Sequence, residues 1–261
     1  MEADAEWRPP FFDCFAKGVT GGFDRCNVGS GSGTNRGAAW GIRPGGGEYH
    51  PLEAAMTTAA VEPVALRREQ INDAGRVLGR AFHTNPGFVW ALPDESARPR
   101  KLTWFMEMGT KAGDKYGEVY TTPGDVEGAA VWLPPGKTTL GIGQLLTVGF
   151  LAAPLKWGIG PFMKFMGVIN RFEHLHKEAM PGDHWYLFLL GVDPPRQGQG
   201  VGSALIQPVL RKADASGLPC YLETDKPEDV TFYEKHGFAV VVKEQFPNGP
   251  SFWTMQRPPR P

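Results

Sequence analysis

One short stretch constrains the fold of this chain more than any other, the glycine-rich turn in GVDPPRQGQGVGSAL at residues 191–205. It follows a nearly continuous apolar run, HWYLFLLGV at 184–192, which predicts a strand buried in a sheet. It precedes GSALIQPVLRKADASG, which predicts a helix ending just before Gly217. Glycines at a strand-to-helix turn let several backbone N–H groups point toward one anion, so the sequence predicts a phosphate-binding turn here.

The spacing of these glycines excludes two common phosphate-binding motifs. A Walker loop ends in Gly-Lys-Ser/Thr, whereas Gly202 is followed directly by Ser203. The dinucleotide-binding fingerprint is Gly-x-Gly-x-x-Gly, whereas Gly198, Gly200 and Gly202 are each two residues apart. Attraction of an exposed charge to one helix end is worth only ~0.3–1 kcal/mol. A pyrophosphate site therefore needs several converging N–H groups, which the three glycines allow.

From residue 61 onward, strand and helix patterns alternate. Helices are predicted from REQINDAGRVLGRAFHTN, from about 98–113, from most of 138–180, and from PEDVTFYEKHG beginning at Pro227. Strands are predicted from VEPVALR, from the hairpin of GEVYTTP and EGAAVWLPPG, from PCYLETD, and from the closing pair FAVVVKEQF and SFWTMQRP. The pattern indicates an α/β fold with a mixed sheet and a helical insertion near 138–180.

The first 55 residues differ from the rest, because residues 1–56 hold 11 of the 34 glycines and show no helical or strand period. We expect a flexible, disordered extension over 1–55 and one domain over 56–261. The patterned region begins at Met56. An incorrectly assigned translation start is therefore an alternative explanation for residues 1–55.

Charge and cysteine content narrow the function classes. With 27 basic and 28 acidic residues the formal net charge is −1, which argues against a nucleic-acid partner. Cys14, Cys26 and Cys220 form neither a disulfide framework nor a zinc motif, so we expect no metal and a reducing, cytoplasmic location. We expect no signal peptide, and residues 140–160 contain Pro154 and Lys156, which argues against a membrane span.

Two motifs resemble the GNAT superfamily of N-acetyltransferases. RQGQGVG after the buried strand is similar to the acyl-CoA loop Gln/Arg-x-x-Gly-x-Gly/Ala, and FYEKHGF at 232–238 is similar to a helix-to-strand signature further along. Within this superfamily, AAVWLPP, WYLFLLGVDPPRQGQGVGSA, GLPCYLETDKPEDVTFYEKHGF and PNGPSFWTM resemble the puromycin N-acetyltransferase subgroup. The resemblance covers about 61–258 and implies a mostly antiparallel sheet with helices on both faces and a splayed parallel strand pair.

The same resemblance implies acetyl-CoA as co-substrate and a small-molecule amine as acceptor. The pantetheine would pair with the strand edge at Leu190, Gly191 and Val192, where a backbone N–H can stabilise the oxyanion formed during attack. The pyrophosphate would be held by the turn and the helix start, which comprise Gln197, Gly198, Gln199, Gly200, Val201, Gly202 and Ser203.

Two residues are candidate catalysts. Tyr233 matches the family tyrosine near the CoA sulfur and would act as general acid; the alternative is a tyrosine that packs its helix on the sheet. Glu223 would act as general base, directly or through water; the alternative is a structural carboxylate. The stretch between them is two residues shorter than in many family members, and Asp225 or Lys226 stands near the place of a frequent asparagine.

Trp132 and Trp185 are candidates for an aromatic acceptor pocket, as are Trp90 and Phe88, although aromatic residues more often belong to a core. RFEHLHKE at 171–178 predicts a solvated helix face, with Glu173, His174, His176 and also His184 as secondary base candidates. Cys220 is predicted to be a buried strand residue, which favours direct attack of the amine over a covalent acetyl-enzyme.

Three functions remain open from the sequence. The first is acetyl transfer to a small amine, and the second is acetyl transfer to a protein or peptide amine. The third is a non-catalytic acyl-CoA sensor, which would bind CoA without turnover. The helical insertion suits coverage of a small ligand and favours the first.

Overall fold

The computed structural model describes residues 61–260. The extension predicted at 1–55 and the domain start predicted at 56 lie outside these residues, and both stay predictions. Seven strands form one sheet in the order β1-β2-β3-β4-β5-β7-β6. The strands are β1 Val64–Ala65, β2 Glu118–Thr121, β3 Gly128–Leu133, β4 Trp185–Val192, β5 Cys220–Thr224, β6 Ala239–Gln245 and β7 Ser251–Arg257. Every neighbouring pair is antiparallel except β4 and β5, which confirms the expected mixed sheet.

Eight α-helices accompany the strands across the described part of the chain. They are α1 Ile71–Ala81, α2 Pro86–Ala91, α3 Arg98–Tyr116, α4 Ile142–Thr147, α5 Ala153–Trp157, α6 Ile159–Ala179, α7 Val201–Ser216 and α8 Pro227–Lys235. The insertion is helical as predicted, and α7 ends at Gly217 with a φ of 66°, as its sequence indicates. Helix α2 was not predicted, because its six residues are too few to show a period. None of the helices described is long and apolar enough to cross a membrane.

Helices cover both faces of the sheet, and β3 is therefore buried along its whole length. On one face, Leu205 and Val209 of α7 pack with Leu187 of β4. On the other face, Leu78 of α1 and Met106 of α3 join a second apolar cluster. The two clusters fix β4 in the centre of the domain, and β4 is the strand from which the glycine turn leaves.

A bulge in β4 opens the sheet beside β5. Val131 of β3 pairs with Leu189 and Trp132 pairs with Leu187, so Phe188 is an extra residue on β4. A bulge bends its strand and increases the local twist. Accordingly, β5 pairs with β4 only at Trp185 and Tyr186, which confirms the expected splayed pair. The β5-facing edge of β4 is left free of strand pairing from Leu187 onward within residues 61–260.

Candidate functional site

A groove follows the open edge of β4 into the glycine turn. Its volume is about 570 Å³. The predicted cofactor residues line it, namely Leu190, Gly191, Val192, Gln197, Gly198, Gly200, Val201, Gly202 and Ser203. Gln199 does not line the groove, and its side chain instead donates to the carbonyl oxygen of Pro195 at 3.0 Å. We call this space the groove.

Backbone groups form the end of the groove. Gly198 and Gly200 have φ values of 75° and 81°, a left-handed conformation that glycine adopts without steric cost. The side-chain amide of Gln197 donates to the carbonyl oxygen of Val192 at 3.0 Å, which ties the turn to the strand it leaves. The N–H groups of Val201, Gly202 and Ser203 lie in the first turn of α7 and have no acceptor within the helix. This arrangement suits a bound anion, as the sequence indicates.

Basic side chains surround the same end of the groove. Arg196, Lys226 and Lys235 line it together with one acidic residue, Asp229. Arg196 is paired with Glu127 at 3.0 Å, so the two lysines supply most of the uncompensated positive charge. This charge suits an anionic ligand such as a phosphate.

Tyr233 lies at the groove on helix α8 and is only 7% exposed. Its ring packs edge-on against Phe232 and Phe238, so the residue both holds the helix on the sheet and faces the groove. Burial raises the pKa of Tyr233 above its usual value, and the negative charge of Asp229 adds to this effect. The phenol therefore keeps its proton at neutral pH, which a general acid requires.

Two smaller cavities lie on the α3 and α6 side of the sheet and share part of their walls. Lobe 1, of about 140 Å³, extends toward α3 and the insertion, and lobe 2, of about 150 Å³, extends toward α2 and Phe246. The residues common to both are apolar or aromatic apart from one carboxylate; they are Phe105, Phe165, Ile169, Phe172, Tyr186, Phe188 and Glu223. The lobes thus meet where β4 and β5 separate.

Glu223 is the carboxylate at the junction of the lobes. Its Oε2 accepts a hydrogen bond from the hydroxyl of Tyr186 at 2.8 Å. Its Oε1 is shielded from solvent and has no partner among the described residues. Burial raises the pKa of Glu223 to about 8, although the hydrogen bond from Tyr186 opposes this rise. A carboxylate with a pKa near neutrality can accept a proton and later release it, which is what a general base must do.

Tyr186, Asn85 and Phe82 were not singled out in the sequence. Tyr186 alternates with buried residues along β4. Because a tyrosine hydroxyl in an apolar strand needs a hydrogen-bond partner, this residue could have been recognised from the sequence. Asn85 and Phe82 follow α1 and line both the groove and lobe 2, so the two spaces share part of a wall. Nothing in the sequence marks these two, because the turn after α1 reaches the site only through the tertiary fold.

Asp225 is held by the turn before α2. Its carboxylate accepts from the N–H of Gly87 at 2.5 Å and from the side chain of Asn85 at 2.9 Å. Burial raises the pKa of Asp225, while these hydrogen bonds lower it. Both oxygens are occupied, so Asp225 positions the wall of lobe 2.

The prediction that RFEHLHKE forms a solvated helix face is wrong at His176. This side chain is only 7% exposed and lines lobe 1. Its Nε2 lies 2.6 Å from Nε2 of His184, and Nδ1 of His184 lies 2.7 Å from the carbonyl oxygen of Gly182. The ring stacks on Tyr221. Burial lowers the pKa of His176 to about 3, so it is neutral near pH 7.

The prediction that Trp132 and Trp185 line an acceptor pocket is wrong. Trp132 is fully buried and Trp185 is 8% exposed, and both pack in the α7-side core cluster. Neither lines the groove or a lobe. Both face the α7 layer, whereas the pocket aromatics come from α2, α3, α6 and β4. Phe88 does line lobe 2, and Trp90 stacks on Phe246.

Cys220 is a buried free thiol at the start of β5. Burial raises its pKa to about 12, so it is protonated at neutral pH. A thiol in this state is a poor nucleophile, which is consistent with direct transfer between co-substrate and acceptor.

Comparisons with known proteins agree with this geometry. Residues 148–238 match the model of the Acetyltransferase (GNAT) family. A stretch of 119 residues, 44% of this chain and 48% of the relative, is 30% identical to an uncharacterized N-acetyltransferase of Schizosaccharomyces pombe. A stretch of 56 residues, 20% of this chain and 18% of the relative, is 43% identical to a mycothiol acetyltransferase of Streptomyces avermitilis. The chain thus spans about half the length of the first curated relative and less of the second.

Solved structures share the fold at low sequence identity. A Corynebacterium glutamicum structure, described as histone acetyltransferase HPA2 and related acetyltransferase, is 19% identical with a TM-score of 0.55 and covers 77% of this chain and 98% of its own. Arylalkylamine N-acetyltransferase 2 of Aedes aegypti is 13% identical with a TM-score of 0.51 and covers 77% and 99%. These likenesses establish the type of fold.

Proposed function

We propose that this chain is an acetyltransferase of the GNAT superfamily that transfers an acetyl group from acetyl-CoA to a primary amine of a small molecule; the match of residues 148–238 to that family supports the proposal. The observation that carries the proposal is that the groove and lobe 2 adjoin at Phe82 and Asn85, which line both. A thioester held along β4 and an amine held beside Glu223 would thus lie in adjacent spaces. Within the superfamily, we propose the puromycin N-acetyltransferase subgroup, on the resembling sequence stretches.

The groove fits the CoA part of the co-substrate. The unpaired edge of β4 at Leu190, Gly191 and Val192 offers backbone groups to the amides of pantetheine, and the turn before α7 offers N–H groups to its pyrophosphate. Lys226 and Lys235 add positive charge. Acetyl-CoA supplies an activated acetyl thioester, and a backbone N–H of β4 would stabilise negative charge on its carbonyl oxygen.

Glu223 is the proposed general base. The amine arrives largely as an ammonium ion at neutral pH, and its proton passes to the unpartnered Oε1 of Glu223. The amine nitrogen then forms a bond to the acetyl carbon, and the bond from that carbon to the CoA sulfur breaks. Tyr186 donates a hydrogen bond to the other carboxylate oxygen and keeps the group oriented.

Tyr233 is the proposed general acid. Its phenol would give its proton to the departing thiolate, and the second proton lost by the attacking nitrogen would restore the phenol as the amide forms. The net result is one proton on the free thiol of CoA and one proton that passes from Glu223 to solvent. The raised pKa of Tyr233 supports this role, because the phenol is protonated when the thiolate forms.

A small acceptor with an apolar body is favoured by the lobes. Their shared walls are aromatic, and the charged groups near them are few, so a hydrophilic peptide would leave many polar groups without partners. A cytoplasmic location belongs to this proposal, because Cys220 is a free thiol.

The proposal is tested by measuring free CoA release from acetyl-CoA with arylalkyl primary amines, with aliphatic polyamines and with peptides that have free N-termini. We expect turnover on arylalkyl amines, with kcat/KM at least ~10-fold above that on peptides, as burial of one ring predicts. The N,N-dimethylated counterpart of each amine is the control, since it has no N–H to lose. Turnover confined to peptides would favour a protein acetyltransferase, and acetyl-CoA binding without any turnover would favour a sensor.

A further inference from the structure

The two lobes divide the acceptor space into halves of nearly equal size. Lobe 1 is about 140 Å³ and lobe 2 about 150 Å³. An apolar protein cavity of about 150 Å³ holds one benzene molecule. Each lobe therefore has room for one aromatic ring or an apolar group of similar size.

The walls that belong to one lobe alone are also apolar for the most part. Lobe 1 is closed by Met108, Ala112 and Leu145 among others, and lobe 2 by Phe88 and Ala91 among others. An apolar substituent in either lobe would leave water for a surface that matches it. Both lobes are mainly apolar and similar in size, so each can take an apolar group.

The place of the amine between the lobes follows from the carboxylates. Glu173 lines lobe 1, but its side chain is 38% exposed and pairs with Lys177 at 2.7 Å. Asp225 lines lobe 2, but both its oxygens accept hydrogen bonds from Asn85 and Gly87. Glu223 lines both lobes and is the lining carboxylate with a buried oxygen that has no partner among the described residues. The amine is therefore drawn to the junction.

From this arrangement we infer that the acceptor is a primary amine on a branched carbon, with one ring-sized apolar group on each side of the amine-bearing carbon. One group fills lobe 1, the other fills lobe 2, and the nitrogen lies at Glu223 between them. The inference rests on the proposed acetyl transfer and specifies its substrate class. An amine with one ring leaves a lobe empty, and an amine with both rings at one end overfills one lobe.

Three simple amines distinguish the one-ring acceptor, the acceptor with both rings at one end, and the acceptor with a ring on each side. Benzylamine has one ring, 3,3-diphenylpropylamine has two rings at one end, and 1,2-diphenylethylamine has one ring on each side of its amine-bearing carbon. We expect kcat/KM for 1,2-diphenylethylamine to exceed both others by at least ~10-fold, since burial of a ring-sized group is worth more than one tenfold step. Equal values for the three amines, or the highest value for either of the other two, would overturn the inference while acetyl transfer stands.

Binding separates failure of the inference from failure of the proposed function. Calorimetric titration of the CoA-bound protein measures the affinity for each amine without turnover. If no amine is acetylated but 1,2-diphenylethylamine binds at least ~10-fold more tightly than benzylamine, the proposed function fails and the two-lobe site stands. If the two amines bind equally, the inference fails whether or not either is acetylated.

Two matched substitutions assign the lobes. Ala112 lines lobe 1 alone and Ala91 lines lobe 2 alone, so Ala112→Leu and Ala91→Leu each fill one lobe by the same increment. We expect each to lower the ratio of kcat/KM for 1,2-diphenylethylamine to that for benzylamine by at least ~10-fold. Ala215→Leu, on the exposed face of α7, is the control and leaves the ratio unchanged. An unchanged ratio in both folded lobe variants would contradict the inference, and the wild-type comparison decides it if either variant fails to fold.

Discussion

The groove and the lobes are built from different parts of the chain. The groove is built largely from backbone, because the open edge of β4 and the first turn of α7 present their own N–H groups. The lobes are built from side chains that come from α2, α3, α6, β4 and β5. A backbone site depends on conformation and tolerates many side chains, whereas a side-chain site changes with each substitution. The first suits a co-substrate common to a superfamily, and the second suits an acceptor that varies between its members.

The largest expected effect lies on the lobe side, at Glu223. Glu223→Gln keeps the shape of the side chain and removes the base, so we expect kcat/KM for the amine to fall by ~10²–10⁴. The wild-type kcat/KM rises with pH up to about 8, because only the deprotonated carboxylate accepts a proton. The variant loses that part of the pH profile, while its KM for acetyl-CoA changes little.

Glu173→Gln is the matched control, since Glu173 lines lobe 1 but is exposed and paired with Lys177. We expect its kcat/KM to stay within about threefold of wild type, in keeping with the small energies of exposed ion pairs. Identical pH profiles for wild type and Glu223→Gln would show that another group is the base.

A smaller effect is expected at the boundary of the groove, at Tyr233. Tyr233→Phe removes one hydroxyl and keeps the packing against Phe232 and Phe238, so we expect kcat to fall by ~10² with little change in either KM. Steady-state kinetics with both substrates varied provide the measurement. Tyr120→Phe, remote from the groove and the lobes, is the control. If Tyr233→Phe matches that control in kcat, the tyrosine has a packing role alone.

The backbone character of the groove predicts a third, more moderate effect. Gly200→Ala strains a residue with a φ of 81° and disturbs the N–H groups that follow it. We expect KM for acetyl-CoA to rise by ~10-fold while KM for the amine is unchanged, since a left-handed non-glycine residue costs roughly 1–2 kcal/mol. Gly217→Ala places the same strain, at a φ of 66°, on the opposite end of α7. Thermal stability therefore falls in both variants, and a rise in KM for acetyl-CoA in both would refute a specific role for the turn.

The contrast between a groove built from backbone and lobes built from side chains explains which features could be predicted from the sequence. The strand, turn and helix of the groove are contiguous, so GVDPPRQGQGVGSAL already contains the residues at its phosphate end and the strand edge before it. The sheet and its splayed pair were likewise predicted from local patterns and from the resemblance. Gln199 is the exception in the groove, because its side chain turns back to Pro195.

The lobes could not be predicted from local sequence patterns. Their walls come from segments as distant in sequence as Ala91 and Phe246, and only the fold brings these together. Trp132 and Trp185 pack in the α7-side cluster, on the other face of the sheet from the lobes. The bulge at Phe188 puts Leu187 and Leu189 on opposite faces of β4, and no residue type in the sequence marks it. Glu223 was chosen because its predicted strand lies beside the expected co-substrate site, and its role as general base stays a prediction.

The smallest expected effect concerns stability and again lies beside the lobes, at His176. Burial lowers its pKa to about 3 in the folded chain, compared with the usual 6.5 of histidine. The unfolded chain therefore binds a proton below pH 6.5 that the folded chain does not, and stability is lost as pH falls from 6.5 toward 3. Between pH 7.5 and 5.5 the lost stability is about 1.4 kcal/mol, or roughly 3–6 °C in Tm for a domain of this size. His176→Gln retains a donor for Nε2 of His184 and removes the titration, so its Tm should fall less over that interval. Equal changes in Tm for the two proteins would show that His176 gains its proton without cost, and that lobe 1 is more open to water than its walls imply.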